Sequence, residues 1–233
     1  MAQENHMTGI DVFTPEHPGI RQIDVSDLKE ALKKGIADFN AMPTHLIFLC
    51  MIYPIIMVIA ARIYAGYDVL PLVFPALAGY TLLGPLVATG MYELSRRREA
   101  GMDISRWHAF EVIRSQSIGA LAVLGLLLTL IYCLWVGSAW VIFQETTGGI
   151  IPESFDSFVD LIFRTEDGRT LIIIGCTAGF VFSAIVLALS VVSFPMLLHQ
   201  KVDAKLAIYT SIRAVLENPV TMGTWGLIVV VFL

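Results

Sequence analysis

The sequence predicts an all-α, polytopic membrane protein, and its composition and the clustering of its charges lead to this fold class. Hydrophobic residues make up 56% of the 233 residues and charged residues 15%, where a soluble domain carries about 25% charge. The charges are clustered, which leaves four long apolar stretches and the beginning of a fifth. These stretches predict membrane-spanning helices at about 45–64, 69–94, 118–143, 170–198 and 220–233, which we call spans 1 to 5.

Residues 1–43 form an acidic N-terminal segment ahead of a transmembrane domain over residues 44–233. The segment lacks the apolar core of about 7–15 residues that a cleavable signal peptide carries, so we expect span 1 to direct insertion. Most Lys and Arg residues lie in this segment, after span 2 and after span 4, whereas the loop 144–169 is acidic. The positive-inside rule therefore predicts a cytoplasmic N-terminus and an outer loop at 144–169.

Directly after span 2 stands the run Arg96, Arg97 and Arg98. A cluster of positive charge beside a spanning helix is most simply a determinant of topology. Binding of anionic lipid headgroups is an ordinary secondary role for such a cluster, and we expect membrane lipids among the partners.

Three short amphipathic stretches precede spans 1, 3 and 5, and we expect each to lie as a helix in the membrane interface. Their apolar faces consist of Leu32, Ile36 and Phe39, of Trp107, Phe110 and Ile113, and of Tyr209, Ile212 and Val215. The stretches align with one another, which predicts a unit of one interfacial helix and a spanning pair, used three times. A chance likeness between amphipathic helices is the alternative. On the repeat interpretation span 5 is truncated at Leu233, and a sixth span is expected to follow.

Small residues in span 4 predict a helix-packing groove. Gly175, Gly179 and Ser183 follow the small-xxx-small spacing that lets a second helix approach closely. The partner is either a helix of this chain or another subunit.

Span 2 contains several residues that interrupt helices, and we expect it to be irregular. They are Pro71, Pro75, Pro85, Gly79, Gly84 and Gly90. A kinked packing helix is one interpretation, and the broken helix of a gated transporter is the other.

The deepest polar residues of the spans are hydroxyl-bearing: Thr81, Thr89, Thr129, Thr177 and Ser183. Each can donate to a carbonyl of its own helix, so none of them requires a solute or a partner. Charged residues near the bilayer centre would mark a transport path, and those found here lie at the ends of the spans. A proton-coupled carrier is therefore disfavoured.

The outer loop contains a predicted short helix. Phe155, Phe158, Val159 and Ile162 recur at helical spacing after Pro152. Thr165 is placed to cap the start of span 4.

A set of short motifs resembles a known family. They are Gly84-Pro85, Tyr92-Glu93-Leu94-Ser95-Arg96-Arg97, Glu99-Ala100-Gly101, Val192-Ser193-Phe194-Pro195-Met196-Leu197-Leu198, Ser211-Ile212-Arg213-Ala214-Val215, Asn218-Pro219 and Trp225-Gly226. From about Asp27 to its end the chain resembles a family of predicted bacterial integral membrane proteins of unknown function. The resemblance implies a six-helix protein of the bacterial inner membrane and supplies no activity. Some relatives carry a label as cytochrome c oxidase subunit I.

The histidines argue against an oxidase catalytic subunit, which needs several imidazole ligands deep in the bilayer. None of the five histidines lies in the interior of a predicted span, and His45 stands at the very start of span 1. His45, His108 and His199 share the predicted cytoplasmic interface, and their convergence would indicate a metal site or an interface enzyme. Their spacing does not enforce convergence, so we predict no catalytic, cofactor-binding or metal-binding residue.

The sequence thus predicts a non-catalytic integral membrane protein of the inner membrane. The function expected is that of an accessory, assembly or stabilising subunit of a larger membrane complex, respiratory or otherwise bioenergetic. Its partners would be lipids and other membrane subunits, without nucleic acid. A small-solute transporter or channel and a membrane-interface enzyme are the alternatives.

Overall fold

The computed structural model describes residues 19–41, 70–103, 117–200 and 202–232, and within these ranges the regular structure is helical throughout, as predicted. The helices are α1 (Val25–Ala41), α2 (Leu70–Tyr80), α3 (Gly84–Glu99), α4 (Ile118–Thr147), α5 (Phe155–Arg164), α6 (Glu166–Ser190), α7 (Ser193–His199), α8 (Ala204–Glu217) and α9 (Pro219–Phe232). Predicted span 1 and the second interfacial stretch, with Trp107, Phe110 and Ile113, lie outside the described residues.

Three helical runs in the described ranges are long and apolar enough to cross a membrane. They cover Pro71–Glu99, Ile118–Thr147 and Glu166–His199, which correspond to predicted spans 2, 3 and 4. The shortest has 29 residues, and at about 1.5 Å per residue it exceeds the hydrocarbon core of about 30 Å. The apolar length of the sequence stretches was therefore a sound basis for these three predictions.

The helix of predicted span 5 is α9, which follows α8 after a sharp bend. Ala204–Glu217 and Pro219–Val231 reach spanning length and hydropathy only together, and their axes differ in direction by 104°. The described residues therefore contain three candidate spans, or four if this bent pair forms one.

Predicted span 2 is irregular, as its prolines and glycines indicate. Pro75 lies inside α2, a 3-10 turn at Thr81–Leu83 joins α2 to α3, and a proline stands in the first turn of α3. Proline lacks an N–H donor and cannot continue the ladder of the preceding turn, which explains a break at this point.

The core is built around α4, which packs on α2, α6 and the 3-10 turn. One side of α4 is buried, and its apolar residues recur there every three or four positions. They are Leu121, Leu124, Leu128, Ile131, Trp135, Ala139 and Phe143. Its other side exposes large apolar residues: Val123, Leu126, Leu130, Leu134 and Val141. A helix that is apolar on all sides and half exposed fits a position between protein and lipid.

The Thr165 hydroxyl links the short helix α5 to α6. The short helix and the cap at Thr165 were both predicted. Thr165 accepts a hydrogen bond from Gly168 N–H at 2.9 Å and donates one to Leu161 O at 2.6 Å. Glu166 and Asp167 stand in the first turn of α6, where negative charge is favourable.

Two buried serines hold α8 against the turn between α6 and α7. Ser193 Oγ donates to Ala207 O at 3.1 Å, and Ser211 Oγ accepts from Val192 N–H at 3.2 Å. Small residues of α8 therefore face the protein, whereas Tyr209 and Leu216 are exposed.

Helix α1 begins with a reciprocal cap. Asp24 Oδ1 accepts from Asp27 N–H at 3.2 Å, and Asp27 Oδ2 accepts from Asp24 N–H at 3.0 Å. Hydrogen bonds from the hydroxyl and the N–H of Ser26 hold the pKa of Asp24 below its ordinary value.

Replacing Thr165 with Val should lower the free energy of unfolding by about 1 kcal/mol, because the side chain can then neither cap α6 nor bond α5. Thr177→Val is the matched control, since Thr177 Oγ1 donates only to Ile173 O within one helix turn and should be nearly neutral. Denaturant unfolding in detergent, followed by circular dichroism, measures both. Equal losses in the two variants would contradict the assigned role of Thr165.

Candidate functional site

Trp135 of α4 lies at the centre of the packing between α2, α4 and α6. Its side chain is 6% exposed, and its indole N–H donates to Pro75 O of α2 at 2.7 Å. Its ring meets Phe182 of α6 edge to face, with 5.6 Å between the ring centroids. A buried indole needs an acceptor for its N–H, and here a backbone carbonyl of the neighbouring helix provides it.

Two glycines make room for this ring. A Cβ atom on Gly79 of α2 would lie 2.1 Å from Trp135 Cδ1, and one on Gly179 of α6 would lie 3.3 Å from Trp135 Cη2. The first distance excludes any side chain unless the ring moves, and the second limits movement towards α6. Trp135 is therefore confined between two helices that approach it through glycine.

The predicted groove on α6 thus has a partner within the chain at Gly179. Gly175 is half-buried, and a Cβ atom on it would meet no atom of the described residues within 4 Å, while Ser183 is exposed. Of the two predicted glycines, only Gly179 lies close to Trp135.

The three arginines at the end of α3 are engaged in ion pairs. Glu93 is 5% exposed and accepts two hydrogen bonds from Arg96, at 2.8 and 2.6 Å, and one from Arg97 at 3.0 Å. Arg97 also donates to Asp103 O at 3.3 Å. The carboxylate therefore neutralises part of the positive charge next to the predicted membrane boundary.

Arg98 links α3 to the N-terminal helix. It pairs with Asp38 of α1, which also accepts a hydrogen bond from the Ser95 hydroxyl. The side chains of Arg96 and Arg98 remain 31% and 37% exposed, so these two retain surface that a lipid headgroup could reach. The topology and lipid roles of the three arginines stay predictions.

Segments predicted to share the cytoplasmic side meet at one end of the bundle. Asp38 contacts Arg98 at the end of α3, and Ile23 N–H donates to Asn218 Oδ1, between α8 and α9, at 2.9 Å. The three lysine- and arginine-rich segments therefore lie at the same end of the bundle, as a shared side of the membrane requires. Which side of the membrane they face remains a prediction.

The third predicted interfacial face is only partly exposed. Tyr209 is 44% exposed and lies under the guanidinium of Arg213, 5.8 Å from ring centroid to Cζ. Ile212 and Val215 are half-buried. An aromatic ring paired with a basic side chain suits the headgroup region of a membrane.

Four of the five deep hydroxyls donate to a backbone carbonyl of their own span, as predicted. Thr81 donates to Ala78 O at 2.6 Å and Thr129 to Gly125 O at 2.8 Å. The other two such bonds run from Thr89 to Leu86 O at 2.5 Å and from Thr177 to Ile173 O at 2.7 Å.

Across the described ranges, no group of three or more His, Cys, Asp or Glu side chains is placed to hold a metal ion. His199 is exposed at the end of α7, and His45 and His108 lie outside the described residues. Convergence of the three imidazoles therefore stays an untested hypothesis.

A family model with the description "predicted integral membrane protein (DUF2189)" matches residues 73–199, more than half of the chain. The match runs from α2 to the end of α7, and it includes Gly79, Trp135 and Gly179 together with the arginines of α3. No curated protein and no solved structure matches the chain.

Gly79→Ala should lower the free energy of unfolding by about 1–3 kcal/mol, because the new methyl group overlaps the confined Trp135 ring. Gly137→Ala in α4 is the control, since its methyl group would meet no described atom within 4 Å. Alanine favours helix there by up to about 1 kcal/mol, so this variant should be at least as stable as the parent. Unfolding in detergent measures both, and two equally stable variants would contradict the packing around Trp135.

Glu93→Gln should destabilise the protein by about 1–3 kcal/mol, because it leaves two half-buried guanidinium groups without their carboxylate. Glu166→Gln is a matched control, since Glu166 also pairs with an arginine three residues on but is 83% exposed. That exposed pair is worth about 0–1 kcal/mol. A loss for Glu93→Gln no larger than for Glu166→Gln would show that burial adds nothing to the pair.

Proposed function

The chain belongs to the DUF2189 family of predicted integral membrane proteins, and from that premise we propose that it is a non-catalytic subunit that supports or assembles a larger membrane complex. Its place would be the bacterial inner membrane, with the N-terminus in the cytoplasm. The observation that carries the proposal is that the polar side chains of the spans bond to groups of their own helices.

Hydroxyl donors at depth bond to the carbonyls of their own helices, and the buried Glu93 pairs with Arg96 and Arg97 of the same helix. A transport path needs polar groups that are free to bind a solute, and a catalytic site needs groups held towards a substrate. Within the described spans these groups serve the helices that carry them. This supports a packing role over transport or catalysis.

The surface of α6 supports the presence of a membrane partner. Few residues in the most apolar stretch of this span are fully buried within the chain, and large apolar side chains of α6 are exposed. They include Ile172, Ile173, Phe180, Val181 and Ile185. Lipid, another part of this chain or a neighbouring subunit covers this surface in the membrane, and we take it as the partner face.

One observation favours the transporter as a second candidate. The helix formed by α2 and α3 is broken at Thr81–Leu83, and discontinuous helices line the binding sites of many transporters. The packing at the break argues against a transporter, because Leu82 in the break is buried in the core and only 5% exposed. The interface enzyme has no observation of this kind in its favour.

Extraction of the chain from native membranes into lipid nanodiscs tests the proposal. We expect an assembly larger than one chain that contains another membrane protein in fixed stoichiometry. Ile173→Trp on the α6 face should reduce recovery of this assembly at least several-fold. Leu130→Trp is the control, since it alters an exposed site on α4 that is not part of the proposed face.

Recovery of the chain alone, or equal recovery of the assembly with both tryptophan variants, would contradict the proposed partner face. Solute flux through vesicles that contain only the purified chain would favour the transporter instead.

A further inference from the structure

We propose that residues 21–41 act as a strap that ties the end of α3 to the bend between α8 and α9 and fixes the angle of that bend. The strap consists of the segment 21–24 followed by α1. The inference is independent of the function proposed above, because it concerns contacts within the chain.

The first anchor of the strap lies on Asn218 and Thr221. Asn218 Oδ1 accepts from Ile23 N–H at 2.9 Å, and Asn218 Nδ2 donates to Arg21 O at 3.2 Å. Thr221 Oγ1 donates to Ile23 O at 2.9 Å. A single asparagine and a threonine one turn later thus bind three polar groups of one short backbone segment.

The anchor recognises main-chain atoms of the strap, and the side chain of Arg21 is 81% exposed. Asn218 presents an acceptor and a donor side by side, the arrangement with which a neighbouring strand would pair. This contact depends on the backbone conformation of 21–24 and on the position of Asn218.

The strap covers polar groups of the bend and supplies their hydrogen-bond partners. Asn218 and Thr221 are only 5% and 9% exposed, and Pro219 at the start of α9 has no N–H to donate. Without the strap, the side-chain amide oxygen of Asn218 and the Thr221 hydroxyl would lose these partners, and water or other groups would have to replace them. The strap and the bend of 104° therefore support each other.

The second anchor lies at the other end of α1. Asp38 pairs with Arg98 and accepts from Ser95, both on α3. The whole of α1 has 17 residues, or about 25 Å of helix, and most of this length lies between the two anchors. A rigid helix held at both ends transmits a displacement of α3 to the α8–α9 bend and the reverse.

The test measures the bend by pulsed electron paramagnetic resonance on the full chain in nanodiscs. Spin labels replace Lys205 on α8 and Leu227 on α9, both exposed, after the native cysteines have been changed to serine. Ile23→Pro removes the N–H that binds Asn218 without altering the bend itself. Gly19→Pro is the control, because Gly19 is exposed and precedes the strap, so the peptide groups that Asn218 and Thr221 contact are left unchanged.

We expect Ile23→Pro to broaden the Lys205–Leu227 distance distribution at least twofold, and Gly19→Pro to leave it unchanged. Asp38→Asn, at the other anchor, should broaden it as well. Hydrogen exchange in α4 should stay as slow as in the parent, which verifies that the bundle is folded.

An unchanged distribution in Ile23→Pro would overturn the proposal. Broadening in Ile23→Pro but not in Asp38→Asn would overturn the two-ended strap, because the bend would then depend on one anchor alone. Equal broadening in both proline variants would overturn the role of the bond to Asn218, because the chain entering α1 would then determine the bend.

Discussion

The contact of Trp135 with glycines on two other helices is the constraint on which the bundle depends. Apolar side chains gain little from contact with one another inside lipid, because the lipid chains are equally apolar. Close approach and hydrogen bonds must therefore hold the helices together. Gly79 and Gly179 allow the approach, and the bond from the indole N–H to Pro75 O fixes its register. The helices α2, α4 and α6 meet at this one ring.

The position of this contact explains why the polar groups are distributed as they are. Apolar side chains fill the core around Trp135. The ionic groups of α3 lie instead at the end of the bundle, where Glu93 and Asp38 each pair with arginine. The same end receives the segment 21–24 and the bend between α8 and α9. The structure therefore has two regions that are held together differently. Close side-chain packing stabilises the apolar core, and ion pairs and hydrogen bonds stabilise the end of the bundle.

The sequence was sufficient for local features and insufficient for contacts between distant segments. The long apolar stretches predicted α4 and α6, the prolines and glycines predicted that span 2 is irregular, and Thr165 was recognised as a cap, because each of these features rests on neighbouring residues. The groove at Gly179 was predicted, but not its partner, since no spacing rule relates α6 to Trp135. Likewise, Asp38 and Asn218 show their roles only once segments far apart in sequence meet. The arginines were recognised as charges near a boundary, whereas their pairing with Glu93 became evident only from the helix and the burial of its carboxylate.

A double-mutant cycle between Gly79→Ala and Trp135→Leu tests the central claim most directly, because it isolates the energy that depends on both positions. Unfolding free energies in detergent are measured for the parent, the two single variants and the double variant. If the ring of Trp135 is what excludes a side chain at position 79, Gly79→Ala should cost less than about 0.5 kcal/mol once Trp135 is leucine, against about 1–3 kcal/mol in the parent. Strictly additive losses would contradict the account, since the two residues would then stabilise the bundle independently.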